Sequence, residues 1–148
     1  MNFSSGSAIK FRTFLPSDHE HLVQLWHKCD LTRPWNDPAD DIRQCLENPS
    51  SELLVAVAGG ILYGSVMMGC DGHRGWVYYL AVDPKSRHQG IGRTLMGHAE
   101  AWMRAKHVPK IQAMIRHDNL AVRGFYGRLN YRDGDAQLVQ KWLSDERS

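Results

Sequence analysis

At 148 residues the chain suits a single domain, long enough to bury about 70% of its unfolded surface without disulfide or metal support. Hydrophobic residues at 43% and charged residues at 23% are ordinary globular values, and Lys+Arg 18 against Asp+Glu 16 leaves a net charge of +2. That balance counts against a nucleic-acid surface, which draws on a basic stripe. Cys29, Cys45 and Cys70 lack C-x-x-C spacing, and the eight histidines form no H-E-x-x-H pattern. The composition therefore predicts free thiols in a reducing cytoplasm and no metal site. No apolar run approaches the roughly 18 residues of a membrane span, and residues 1–7 have no apolar signal core, so no membrane partner is expected.

Residues 1–7 are small and polar and read as a loose lead-in. The alternation over 9–14 predicts a half-exposed strand. Pro16, Ser17 and Asp18 open a helix, and Leu22, Leu25, Trp26 and Cys29 repeat at helical spacing, carrying it to about Asp30. A loop with Pro34 and Pro38 follows. Asp37 is a good N-cap, Pro38 fits the first helical position, and Asp40 and Asp41 favour the positive helix end. This second helix should turn Ile42, Cys45 and Leu46 inward and stop near Asn48 and Pro49. Trp35, between the prolines, either walls a pocket or covers the edge of the core.

Runs over 53–57 and 61–68 read as strands joined at Ala58, Gly59 and Gly60, and a second turn over 71–75 leads into a strand over 76–82. Three consecutive antiparallel strands exclude a doubly wound fold, in which each strand would be followed by a helix. A helix over 90–106 carries Ile91, Leu95, Ala99, Trp102 and Met103 on one face. The run 110–115 returns as a parallel strand. His117, Asp118 and Asn119 start a last helix with Ala121, Val122, Phe125, Tyr126 and Leu129 inward. Tyr131, Arg132 and the run 136–143 supply a closing strand or hairpin. The order β-α-α-β-β-β-α-β-α-β-β is an α/β chain (an α+β mixed sheet) with helices on its faces.

The turn after the strand over 76–82 is rich in glycine and cation: Asp83, Pro84, Lys85, Ser86, Arg87, His88, Gln89, Gly90, Ile91, Gly92, Arg93 and Thr94. A helix opening near Gly90 would present unpaired N–H groups and a positive dipole end, a ready site for phosphate. A dinucleotide fingerprint would need glycine at Leu95, and a P-loop would need Gly-Lys-Ser/Thr where Gly92-Arg93-Thr94 stands. Arg87-x-x-Gly90-x-Gly92 after an apolar strand resembles instead the acyl-CoA pyrophosphate loop of the GNAT N-acetyltransferases. The bland alternative is a helix start with two incidental glycines.

A second segment carries the same resemblance. Asn119, Ala121, Phe125, Tyr126, Leu129, Asn130 and Tyr131 look like the family's N-x-x-A-x-x-F-Y-x-x-x-G-F stretch, with the alanine one residue early and Asn130 in place of glycine. Asn tolerates a left-handed backbone, so the helix end survives that change. The strand order is similar to the whole GNAT fold. Within the family, residues 29–38 and 71–75 resemble a small bacterial group, the YpeA-like acetyltransferases.

The resemblance implies acetyl-CoA as cosubstrate. Its pyrophosphate is expected on the N–H groups of His88, Gln89, Gly90, Ile91, Gly92 and Arg93, with Arg87 and Arg93 either adding charge or standing as solvated surface. Its pantetheine arm is expected to pair with Leu80, Ala81 and Val82 like an added strand. Tyr126, seven residues after Asn119, stands where the family has its general acid, although periodicity alone would make it a core tyrosine. Asn119 either contacts the cofactor or caps its helix. The base is open: Tyr78 and Tyr79 occupy the strand where many relatives carry an acid, which leaves Asp71 and His73 in the adjoining turn, and Asp30 and Asp37 across the cleft. Trp35, Asn36, Asp37, Asp71, His73, Arg74 and Tyr78 would build the acceptor mouth. The expected activity is acetyl transfer to a primary amine of an amino-acid-like small molecule or a peptide, with two other readings open. Those are a non-catalytic acyl-CoA-binding module, and an acetyltransferase acting on protein or aminoacyl-tRNA amines. The closing strand with Trp142 either pairs with a second chain, which would give a homodimer, or closes the chain's own sheet.

Overall fold

The computed structural model describes residues 8–144, so the lead-in read over 1–7 lies outside the described residues. Strand β1 (Lys10–Thr13) is followed by a 3-10 turn at Pro16–Asp18 and helix α1 (His19–Lys28). Helix α2 (Pro38–Glu47) precedes three long strands: β2 (Ser51–Ala58), β3 (Ile61–Cys70) and β4 (Gly75–Val82). Helix α3 (Ile91–Ala105), strand β5 (Ile111–Ala113) and helix α4 (Leu120–Arg128) complete the regular structure. The five strands lie in sequence order, antiparallel from β1 to β4, and α3 carries the chain across to a parallel β5.

The helices cover both faces of this sheet, as the sequence predicts. On one face Leu22, Leu25 and Trp26 of α1 and Ile42 and Cys45 of α2 bury against Leu53 and Val55 of β2. On the other, Ile91, Leu95, Met96, Ala99 and Met103 of α3 and Tyr126 of α4 close over Ala56, Val66 and Val77. Each large apolar side chain buried this way contributes about 1.5–3 kcal/mol relative to exposure. Asp18 pins the junction between β1 and α1: its carboxylate accepts from Arg12 Nη1 at 2.7 Å, Arg12 Nη2 at 3.0 Å and the Leu15 amide at 2.8 Å.

Three local expectations are corrected. No strand forms over 131–132 or 136–143, where the chain runs exposed beyond α4. A strand needs a partner, and this segment pairs with neither edge of the sheet. Leu138, Val139, Trp142 and Leu143 consequently stay open to solvent. β5 is three residues long rather than six, because its pairing with β4 stops at Val77↔Ala113. Leu46 is exposed, since α2 presents only the narrow stripe of Ile42 and Cys45 to the core.

Candidate active site

β4 carries one residue more than β3 across a short interval. Ser65 pairs with Ala81 and Met67 with Tyr78, so two steps on β3 answer three on β4. The extra residue is a bulge, which bends a strand and increases its local twist. Tyr79 takes the strain there with φ 52, a left-handed conformation uncommon for a bulky residue. Beyond the bulge, β4 and β5 separate. Their ladder covers only Gly75, Trp76 and Val77, so the β5-facing edge from Tyr78 to Val82 has no strand partner among the described residues. A wedge results, bordered by a strand edge outside any ladder, whose Val82 carbonyl accepts from Cys29 Sγ at 3.3 Å.

The glycine loop stands at the mouth of this wedge. His88 and Gly90 both have positive φ, 65 and 84, and Gly90 is the N-cap of α3. Left-handed residues alternating with others turn successive N–H groups toward one concavity, an anion-binding arrangement. Nothing lies within 4 Å of where a Gly90 side chain would begin, so the backbone can be approached closely at that point. Gly92 serves packing instead. A Cβ there would meet the Phe125 ring at 3.2 Å and Val82 Cγ2 at 3.5 Å, so glycine lets α3, α4 and β4 converge. Arg87 donates through Nε to the Val82 carbonyl at 3.4 Å, which ties the loop to the strand, while Arg93 is exposed.

α4 places Tyr126 on the same side. Its ring packs in the cluster that also takes Leu80 and Val82, edge-on to Phe125 and Tyr131 at centroid distances of 5.3 and 5.2 Å. Burial pushes its phenol up to about 12, so it is fully protonated at neutral pH and available as a proton donor. Asn119 is the N-cap of α4, its side chain accepting from the Val122 amide at 3.2 Å. The structure thus brings together Leu80, Val82, the loop from Arg87 to Arg93, and Tyr126. Ala81 turns to the opposite face and is buried with α1 and α2.

The acceptor-side residues are more scattered. Trp35 is 41% exposed, outside the buried core. Asp37 caps α2, accepting from the Ala39 amide at 3.0 Å. Asn36 reaches Tyr79, where its side chain acts on the phenol. In the β3–β4 turn Asp71 accepts from the amides of His73 and Arg74 at 2.9 and 2.8 Å, and these bonds lower its pKa. Arg74 bonds the carbonyl of His73, so the turn is largely closed on itself. Burial raises the Tyr78 phenol and the charge of Asp71 adds to the rise, which puts that turn within electrostatic reach of Tyr78. Asp30 is exposed and lies beside Arg33 at 3.6 Å.

Two residues here carry no sequence signal of function. Tyr79 donates its hydroxyl to Asp41 Oδ2 at 2.5 Å, and its ring stacks on Trp26 with centroids 3.7 Å apart and planes 11° apart. The one available hint was the Tyr78-Tyr79 pair itself, which breaks the inward-outward alternation of a regular strand. Among the described residues no group of three or more His, Cys, Asp or Glu could hold a metal ion, and no helix is long and apolar enough to cross a membrane.

The residues at the wedge fit a thioester carried on a pyrophosphate-bearing arm: free strand edge, open amides at a helix N-terminus, and a protonated phenol. Comparison with known proteins gives the family. Residues 20–131 match the Acetyltransferase (GNAT) family. The chain is 43% identical over 139 residues to a protein of Pectobacterium atrosepticum named acetyltransferase, covering 94% of this chain and 99% of that one. A Yersinia enterocolitica protein of the same name is 43% identical over 135 residues, covering 91% and 96%. Among solved structures, AAC(6')-Iy in complex with a bisubstrate analog superposes with a TM-score of 0.79 at 15% identity, over 93% of this chain and 99% of that one. With the family match spanning most of its length and close relatives aligned nearly end to end, the chain belongs to the GNAT acetyltransferase family.

Proposed function

We propose that the protein, acting as a single domain, transfers acetyl from acetyl-CoA to a primary amine of a small, amino-acid-like molecule or a peptide, by direct attack in a ternary complex. The observation that carries this reading is the wedge beside the bulge of β4, with the glycine-capped end of α3 at its mouth and Tyr126 in its wall. Bound acetyl-CoA supplies the acetyl group and a thiol as leaving group. The chain's own part is to hold and orient. Amides from His88 to Arg93 take the pyrophosphate, and the free edge at Leu80, Ala81 and Val82 pairs with the pantetheine amides. A β4 amide beside the bulge donates to the thioester carbonyl, where charge develops during attack. Tyr126 gives its proton to the departing sulfur.

On the acceptor side, Trp35, Asn36, Asp37 and Tyr78 form the near rim and the turn of Asp71, His73 and Arg74 the far one. A base role for Asp71 gains no support, because the amides of Arg74 and His73 lower its pKa and so weaken it as a proton acceptor. Solved enzymes of the same fold that are named aminoglycoside acetyltransferases favour a small-molecule amine. The three free cysteines suit a cytoplasmic setting. The exposed apolar run of Leu138, Val139, Trp142 and Leu143, together with the free outer edge of β5, favours a homodimer.

Calorimetry with acetyl-CoA and free-thiol release over a panel of amines test the reading. Binding and thiol release together support it. Absence of acetyl-CoA binding overturns it, and binding without transfer to any amine turns the protein into an acyl-CoA-binding module.

A further inference from the structure

The bulge of β4 is held from three directions by one closed set of contacts. Trp26 Nε1 donates to Ser65 Oγ at 3.0 Å, and Ser65 Oγ donates to the Tyr79 carbonyl at 2.8 Å. The Tyr79 ring lies flat on Trp26, and its hydroxyl donates to Asp41 Oδ2. Trp26 and Ser65 are fully buried. Asp41, from the first turns of α2, is thereby bonded to the tip of the side chain that leaves β4 at the bulge. The residue after Tyr79 is Leu80, where the thioester is expected on the reading above.

The surroundings of Asp41 are those of a proton acceptor rather than of a structural ion pair. Burial raises its pKa, the Tyr79 hydroxyl opposes that rise, and the charges of Asp40 and Asp37 add to it. Among the described residues these are the charged and titratable groups that act on it, from its own end of α2 and from β4, and none of them is a cation. Arg43, the nearest arginine along the helix, is engaged by Asp40 and Glu47. Oδ2 is taken by Tyr79, while Asn36 acts on the same phenol from the loop before α2.

We propose that Asp41, held on Tyr79 at the β4 bulge, is the base that takes the proton from the ammonium of the acceptor. The inference rests on the acetyl-transfer reading. The ammonium gives one N–H proton to the Asp41 carboxylate, which passes it to solvent. The freed nitrogen pair forms the N–C bond to the acetyl carbon, and the C–S bond breaks with its pair going to sulfur. Sulfur takes the Tyr126 proton. A second N–H proton leaves nitrogen as the amide forms and makes good the one lost by Tyr126. One acetyl group moves and one proton is released overall.

The test compares wild type, Asp41→Asn and Tyr79→Phe for acetyl-CoA binding by calorimetry and for transfer to neamine, spermidine, phenylalaninamide and a lysine peptide across pH. Asn can still accept the Tyr79 hydrogen bond, so Asp41→Asn removes the base and keeps the bulge. It should bind acetyl-CoA as wild type does and lose about 100-fold in kcat/KM. Its activity should then rise with pH toward the pKa of the free amine, with the acidic limb of the wild-type profile gone. Tyr79→Phe keeps the stack on Trp26 but removes the bond that opposes the raised Asp41 pKa, so its acidic limb should move to higher pH. Asp41→Asn within about twofold of wild type, or with the acidic limb intact, overturns the proposal. If Asp41→Asn does not fold, a Tyr79→Phe profile with an unmoved limb overturns it equally. Wild type that binds acetyl-CoA yet acetylates none of these amines removes the acceptor reading, and this inference with it.

Discussion

Trp26 and Ser65, 39 residues apart in the chain, meet through a 3.0 Å hydrogen bond at the centre of the sheet. Ser65 in turn donates its hydroxyl to the Tyr79 carbonyl, so one hydroxyl serves α1, β3 and β4 at once. Replacing it with alanine strands a buried indole N–H and a buried carbonyl, each costing about 1–3 kcal/mol. Ser65→Ala should lower the denaturation midpoint by that order and weaken acetyl-CoA binding through the loosened bulge. Chemical denaturation and calorimetry on the same variant check both.

Gly90 tests the cradle. Its φ of 84 is strained for any other residue, at roughly 1–2 kcal/mol, and a side chain there would project into the space above the α3 amides. Gly90→Val should weaken acetyl-CoA binding by about tenfold or more while the protein stays folded. Affinity equal to wild type would remove the loop from the binding site.

Tyr126→Phe separates acid from core residue. The phenyl ring keeps the edge-on contacts with Phe125 and Tyr131, so acetyl-CoA affinity should hold. Turnover should fall by about 100-fold or more, the usual worth of a positioned acid. Unchanged turnover reduces Tyr126 to packing.

Gly92→Ala addresses architecture alone. The added methyl reaches the Phe125 ring at 3.2 Å, so α4 must shift or Phe125 must turn, at a cost of about 1–3 kcal/mol. A lowered thermal midpoint is the expected result.

Acid stability should track Asp18. Its hydrogen bonds from Arg12, and then from the Leu15 amide, hold its pKa below the usual carboxylate value. A depressed folded-state pKa gives stability that is present above about pH 4 and is lost as pH falls through the folded-state value. Arg12 is about a third exposed, so screening limits the contribution to roughly 1 kcal/mol. Asp18→Asn should therefore cost stability at pH 7 and little at pH 2, by denaturation at both.

Much of this was legible in the chain. Hydrophobic periodicity placed every helix and the three long strands within a few residues, because each element buries a face of its own. The glycine loop and the Asn119–Tyr126 spacing were legible as helix starts, since both are short segments set by local backbone: Gly90 caps α3 and Asn119 caps α4. Asp41 was not legible. As a sequence it is one of two acids at a helix start, and what distinguishes it is a phenol 38 residues away, brought close by a bulge that shifts the face Tyr79 presents. The closing strand was misread for a related reason: the run 136–143 has strand composition, but pairing depends on a free edge within reach.

The parted strands also fix how the backbone should exchange with solvent. Successive amides of a strand point to opposite edges, so between Tyr78 and Val82 those turned toward β3 are locked in a ladder, while those turned toward the wedge have no strand to hold them. Along this single strand, hydrogen exchange should be slow and fast in turn, with the phase slipping at Tyr79. A bound arm that hydrogen-bonds the free edge would erase the pattern, and the fast amides that fall silent would trace its path.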